Sequence, residues 1–143
     1  MAERPVAKVT TKWEEGNRFV ATDAWGHKLV MDAPTAPNSP FAGFKPAQAV
    51  LAALAGCTGI DVVSILKKQR ADLRAFRVEV VGERRDEHPK RYTAITLRYH
   101  VSAPGLGEEP ARHAIDLSLQ KYCSVTHSLA PDIAVRYELR LEA

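Results

Sequence analysis

Residues 45–66 read KPAQAVLAALAGCTGIDVVSIL, small and apolar on nearly every face, opened by a proline and followed by Lys67-Lys68-Gln69-Arg70. Proline suits the first turn of a helix, where its missing N–H costs nothing. The basic residues at the other end meet the negative pole of the helix dipole. The pattern predicts one helix from Pro46 to near Arg70, about 35 Å long at about 1.5 Å per residue. Such a helix is expected to be enclosed by protein, and its small residues allow close approach by another helix or by its own symmetry mate. Gln48, Asp61 and Ser64 within the run argue against a membrane span.

The rest of the chain supplies strands for that helix to pack on. Residues 6–13 alternate weakly, and Glu14-Glu15-Gly16-Asn17 turns them into Arg18–Thr22. Ala24-Trp25-Gly26 turns again into residues 27–31, and residues 33–44 carry Pro34, Pro37, Pro40 and Gly43 and read as a loop. Beyond the long helix, residues 76–81 and 93–101 alternate as strands. Pro104-Gly105-Leu106-Gly107 breaks the chain, and Glu108-Glu109-Pro110 opens a second helix ending near Tyr122. A short helical turn over 125–129 and a final strand over 135–141 complete the order. Three strands, helix, two strands, helix, strand is an α+β pattern with antiparallel sheet. No repeat or linker interrupts it, so residues 1–143 are expected to form a single domain.

A chain of 143 residues buries roughly 70% of its unfolded surface, so it needs no cross-links to fold. Its two cysteines are therefore available for chemistry. Met1-Ala2-Glu3-Arg4-Pro5 has no apolar stretch behind its charge, so no signal peptide is expected. The expected compartment is a reducing cytoplasm, where disulfides are transient or catalytic. The net charge of +3 is mild and spread among acids, as in Arg84-Arg85-Asp86-Glu87. No basic stripe with interleaved aromatics is present, which argues against a nucleic-acid partner.

Cys57 lies in the long helix, and Cys123 follows the second, in Gln120-Lys121-Tyr122-Cys123-Ser124-Val125. Two distant thiols, each tied to a helix, suggest one attacking and one resolving thiol. A helix-borne cysteine alone is more simply a small buried hydrophobe. Here Cys57 is followed by Thr58, and by Asp61 and Ser64 on the same face. Cys123 has Ser124, Thr126 and His127 beside it, which reads as a polar, accessible place. A reactive thiolate needs positive charge or donors, for which Arg18, His27 and His127 are candidates. Asp61 reads first as a carboxylate bonding a neighbouring element, and second as a partner near Cys57. Its charge would raise a thiol pKa, so it suits orientation better than activation. A metal site of Cys57, Cys123 and His127 lacks closely paired ligands such as C-x-x-C, so neither metal nor cofactor is expected. Phe41 and Phe44, just before the helix, are candidates for a lid on an apolar substrate pocket, ahead of Trp13 and Trp25.

Leu51-Ala52-Ala53-Leu54-Ala55-Gly56-Cys57-Thr58-Gly59-Ile60-Asp61-Val62-Val63-Ser64-Ile65-Leu66-Lys67-Lys68 resembles the first-cysteine helix of the OsmC/Ohr family. Lys121-Tyr122-Cys123-Ser124-Val125 resembles its second-cysteine motif, in the form of the YhfA-like branch. The resemblance extends over essentially the whole chain. It implies an OsmC-like fold, with antiparallel sheets around long central helices in an intertwined homodimer. It also implies thiol-dependent reduction of organic hydroperoxides. Cys57 would attack the O–O bond and become a sulfenic acid, and Cys123 would condense with it to a disulfide. A dithiol, or a lipoylated or thioredoxin-like protein, would then act as reductant. In the best-characterised peroxidases of the family, a Glu after the helix-opening Pro pairs with an Arg that steadies the thiolate. Here those positions are Ala47 and Gln48, and Gln48 can hydrogen-bond but cannot form the charge pair. Arg18 is the best match for the family's Arg. The missing acid supports an alternative of another class, a dimeric stress or ligand-binding protein with little or no turnover.

Overall fold

Glycines and short polar side chains shape the first part of the chain. The computed structural model describes residues 6–142, which fall into two compact units, one up to Val50 and one from Leu51 onward. In the first unit, β1 (Thr10–Glu15), β2 (Arg18–Thr22) and β3 (Lys28–Met31) form an antiparallel sheet in that order. Gly16, with φ +53°, takes the left-handed conformation that the β1–β2 hairpin requires. Asp23 closes the next turn, its Oδ1 accepting from the N–H groups of Trp25 and His27 at 2.9 Å each. After β3 the loop returns to the sheet. Phe44 N–H donates to Val30 O at 3.2 Å, and Asp32 N–H to Phe44 O at 3.0 Å. A Cβ on Gly43 would stand 2.6 Å from Val30 O, so only glycine allows this close return.

Helix α1 (Pro46–Lys68) begins in the first unit and supplies the start of the second. Its end is closed by Arg70 in the left-handed conformation, with Arg70 N–H donating to Lys67 O and Ala71 N–H to Leu66 O, both at 3.0 Å. Leu54, Thr58, Val62 and Leu66 are its fully buried residues, one row at intervals of four. The expected enclosure of the whole helix is not met within one chain. Ile60, on another face, is 74% exposed. A helix lying on a sheet buries one stripe, and this one has a single sheet to lie on in its unit. By length and composition α1 would also pass for a bilayer span, but its buried row belongs to a protein core.

That core is built on β4 (Ala75–Arg84), β5 (Tyr92–Ser102) and β6 (Ala134–Glu142), in the order β4-β5-β6. Ile95, Leu97, Tyr99 and Val101 on the central strand are buried and join Leu54, Val62 and Leu66 of α1. β4 and β5 are antiparallel, as expected, but β5 and β6 are parallel. The all-antiparallel expectation is corrected by the connection. Residues 103–133 carry α2 (Glu108–Leu117), a π-helical turn (Ser118–Tyr122) and α3 (Ser124–Ser128), a crossover long enough to return the chain to the same end of the sheet. The π turn replaces the last part of the single helix expected up to Tyr122. Ala114 and Ile115 fix α2 to the core, and Ala111 is also buried.

Leu97 sits at the centre of this sheet with no exposed surface. Leu97→Ala is expected to lower stability by about 2–5 kcal/mol, measured by urea unfolding. A loss below about 1 kcal/mol would contradict the described core.

Candidate active site

Cys57 is half-buried on α1, one residue before the buried Thr58. Cys123 follows the π turn. Its N–H donates to Ser118 O at 2.7 Å, closing the five-residue step that defines the turn. At Cys123 the backbone is extended, φ −73° and ψ 99°, and the chain bends there into α3. The expectation of an accessible Cys123 is corrected: it has no exposed surface and belongs to the core cluster. The polar neighbours that suggested access lie on α3, whereas the bend turns the sulfur inward.

Both thiols are free, and Cys57 is near enough to Cys123 to act on its ionisation. Burial pushes the Cys123 thiol above its ordinary value, and the nearby Cys57 adds to the rise. The Thr126 hydroxyl and N–H act in the opposite direction, because both lie where they would donate to a Cys123 thiolate. The Thr126 hydroxyl is buried and has no settled partner while Cys123 is a thiol.

A chain of buried hydroxyls ties the two cysteine-bearing segments together. Ser118 Oγ–H donates to Asp61 Oδ2 at 2.9 Å. Ser118 Oγ and Thr58 Oγ1 are 2.8 Å apart, and Thr58 Oγ1 and Tyr99 Oη are also 2.8 Å apart. A hydroxyl has one proton to give. With Ser118 donating to Asp61, Thr58 donates to Ser118 and Tyr99 donates to Thr58. Burial first of all pushes Tyr99 well above the usual phenol value, which keeps it a donor. Its ring meets Tyr137 edge-on at 5.9 Å, and Tyr137 O–H donates to Asp116 at 2.9 Å. Asp61 is thus the acceptor at the end of this chain, bonded to the segment that leads to Cys123.

Arg18, Phe41, Phe44 and Gln48 belong to the first unit. Arg18 Nε stands 3.5 Å from Asp32 Oδ2, and its Nη1 is 3.5 Å from Glu15 Oε1. Asp32 is buried, and its carboxyl is held below the ordinary range, first by Ala42 N–H at 2.9 Å, then by Ala33 N–H at 2.8 Å and the Arg18 charge. Sequence reasoning looked for an acid at Ala47 or Gln48 and missed Asp32. Its signal was an Asp ending a strand just before the Pro34 loop, where such a side chain commonly ties down backbone N–H groups. Gln48 is exposed on the first turn of α1. Phe44 is pinned to β3 through its backbone, and Phe41 is half-exposed with the Lys45 ammonium 5.6 Å from its ring centre. His127 is exposed, with its N–H donating to Cys123 O at 3.3 Å. His27 is paired with Asp23 at 2.8 Å. Among the described residues, no group of three His, Cys, Asp or Glu side chains is placed to share a metal ion.

Residues 37–138 match the family model of the OsmC-like proteins. Protein YhfA of Escherichia coli (strain K12) is 40% identical over 130 residues, covering 90% of this chain and 94% of that relative. Among solved structures, an OsmC-like protein from Mycoplasma pneumoniae superposes with a TM-score of 0.83 at 17% identity, covering 99% of this chain and 100% of that one. The organic hydroperoxide resistance protein OhrB of Bacillus subtilis superposes with a TM-score of 0.64 at 22% identity, covering 94% and 98%. At these identities the two superpositions speak for the fold.

Two outcomes follow from the geometry. Under brief alkylation at mildly alkaline pH, Cys57 is expected to be modified at least about tenfold faster than the buried, pKa-raised Cys123. Peptide mass analysis showing equal modification would contradict the burial described. Asp32 has a folded pKa below its unfolded one, so its contribution to stability is held above about pH 4 and lost as pH falls through the folded value. The Ala42 amide is therefore expected to be protected from hydrogen exchange at about pH 5 and to lose protection toward about pH 2. Constant protection across that range, after correction for intrinsic rates, would contradict this role of Asp32.

Proposed function

Because this chain belongs to the OsmC family and holds one half-buried and one buried thiol against each other, we propose that it is a thiol-dependent peroxidase for organic hydroperoxides. The observation that supports this most is the nearness of Cys57 to Cys123, whose segments are joined by the Thr58–Ser118 hydrogen bond at 2.8 Å. Cys57, the thiol with surface exposed, attacks the terminal oxygen of the hydroperoxide as thiolate. The O–O bond breaks, the alcohol leaves with a proton, and Cys57 becomes a sulfenic acid. Cys123 then attacks the Cys57 sulfur, the S–O bond breaks, and water leaves with the Cys123 proton. A dithiol, free or carried on a lipoylated or thioredoxin-like protein, takes up the disulfide by two exchange steps and leaves as its own disulfide.

Cys57 and Cys123, which carry these steps, both belong to the second unit. A homodimer is part of the reading, because a second copy placed along α1 would cover the apolar face that one chain leaves open around Ile60. A cytoplasmic location suits a cycle that begins and ends with reduced thiols. The OhrB relative, by its name, serves resistance to organic hydroperoxides, and an organic rather than an inorganic peroxide is the substrate class assigned here.

In single turnover with cumene hydroperoxide, wild type is expected to lose both free thiols. Cys123→Ser should stop at a trappable sulfenic acid on Cys57, and Cys57→Ser should consume hydroperoxide only at the background rate. Full consumption by Cys57→Ser would overturn the assignment. Two unchanged thiols in wild type would favour a binding protein of the same fold.

A further inference from the structure

We propose that Ser118 and Thr58 form a positioning clamp that sets the rate at which the Cys57–Cys123 disulfide closes, an inference that rests on the peroxidase reading above. Ser118 is bonded to both cysteine-bearing segments. Its hydroxyl meets Thr58, the residue after Cys57, at 2.8 Å, and its carbonyl accepts the Cys123 N–H at 2.7 Å. Both Thr58 and Ser118 have no exposed surface. Burying two hydroxyls in an apolar core is unfavourable unless each is satisfied. Here the donation runs from Tyr99 through Thr58 and Ser118 to Asp61 and leaves none of the four without a partner.

An apolar residue at position 58 would continue the row of Leu54, Val62 and Leu66. What it could not do is fix the rotation of α1. Apolar contacts are non-directional, whereas two hydrogen bonds of 2.8 Å at one side chain hold the helix face in one orientation. A rotation of about 20° would move a sulfur about 5 Å from the helix axis by roughly 1.7 Å. A misplacement of about 1 Å can slow a reaction by about 100-fold, and disulfide closure has narrow geometric demands of its own. On the other side of the clamp, Cys123 is placed by a π turn. Such turns are uncommon and often mark functional sites, and the first residue of this one is Ser118 itself.

The clamp takes no part in bond making. Closure forms the Cys57–Cys123 S–S bond, breaks the Cys57 S–O bond and releases water with the Cys123 proton. Cys123 sulfur is oxidised while the sulfenyl sulfur of Cys57 is reduced. The hydroxyl chain passes its protons toward Asp61 and delivers none to either sulfur, so its effect is on placement.

The test separates the two chemical steps by rapid-quench trapping of the Cys57 sulfenic acid and of the disulfide, using cumene hydroperoxide. Thr58→Val and Ser118→Ala are expected to form the sulfenic acid within about twofold of wild type and to close the disulfide about 10–100-fold more slowly. Thr58→Ser keeps the hydroxyl and should close within about threefold of wild type. Leu97→Ala loosens the same core without touching the clamp and should also close within about threefold. Equal closure rates in Thr58→Val, Ser118→Ala and wild type would overturn the clamp, and so would equal slowing in Leu97→Ala. If Thr58→Val does not fold, Ser118→Ala, which removes a single oxygen, decides by the same readout. Closure driven by diamide is measured in parallel. If wild type forms no sulfenic acid with the hydroperoxide, the peroxidase reading fails, and the diamide rates still decide whether the clamp exists.

Discussion

One row of side chains joins helix α1 to the sheet of its unit, and one of the four is polar. Leu54, Val62 and Leu66 supply area, and Thr58 supplies direction. A mid-helix threonine usually turns its hydroxyl back on its own helix. This one accepts from Tyr99 on β5 and donates to Ser118, the first residue of the π turn. The cost of burying it is offset only because Tyr99, Ser118 and Asp61 complete the chain. Low dielectric strengthens such a network when every member is satisfied and penalises it when one is lost. In the proposed clamp, this junction sets the placement of Cys57 relative to Cys123.

The same junction makes the two thiols unequal. Cys57 rides on a helix face that reaches the surface, and Cys123 is carried inward by the bend after the π turn. Burial raises the Cys123 pKa, so it waits as a thiol. The Thr126 donors lie where a thiolate leaving from Cys123 would be received. In the proposed two-cysteine cycle, a half-buried attacking sulfur and a buried second sulfur would divide the labour by position, without any difference in residue type.

Much of this was legible in the sequence, because local signals carry it. Pro46 and Lys67-Lys68 bracket α1, Gly16 marks the first hairpin, and the alternation of residues 93–101 marks β5. The two cysteine motifs carry the family. What was not legible depends on contacts between distant residues. The strand over 134–142 alternates identically whether it runs parallel or antiparallel to β5, and only the course of the crossover decides. The burial of Cys123 follows from one backbone bend at the end of a π turn, which no residue of Ser118–Tyr122 announces. The clamp pairs residues 58 and 118, each unremarkable alone. Asp32 belongs to neither cysteine motif, and the N–H groups it accepts from, those of Ala33 and Ala42, are brought to it by the loop that it ties down.

The most direct test of the central claim is non-reducing peptide mapping of the wild-type protein after one equivalent of organic hydroperoxide. The account predicts a single new species in which the peptides holding Cys57 and Cys123 are joined, lighter by two hydrogens and separated again by a dithiol. Cys57 carried on to sulfinic or sulfonic acid while Cys123 remains a free thiol would contradict it.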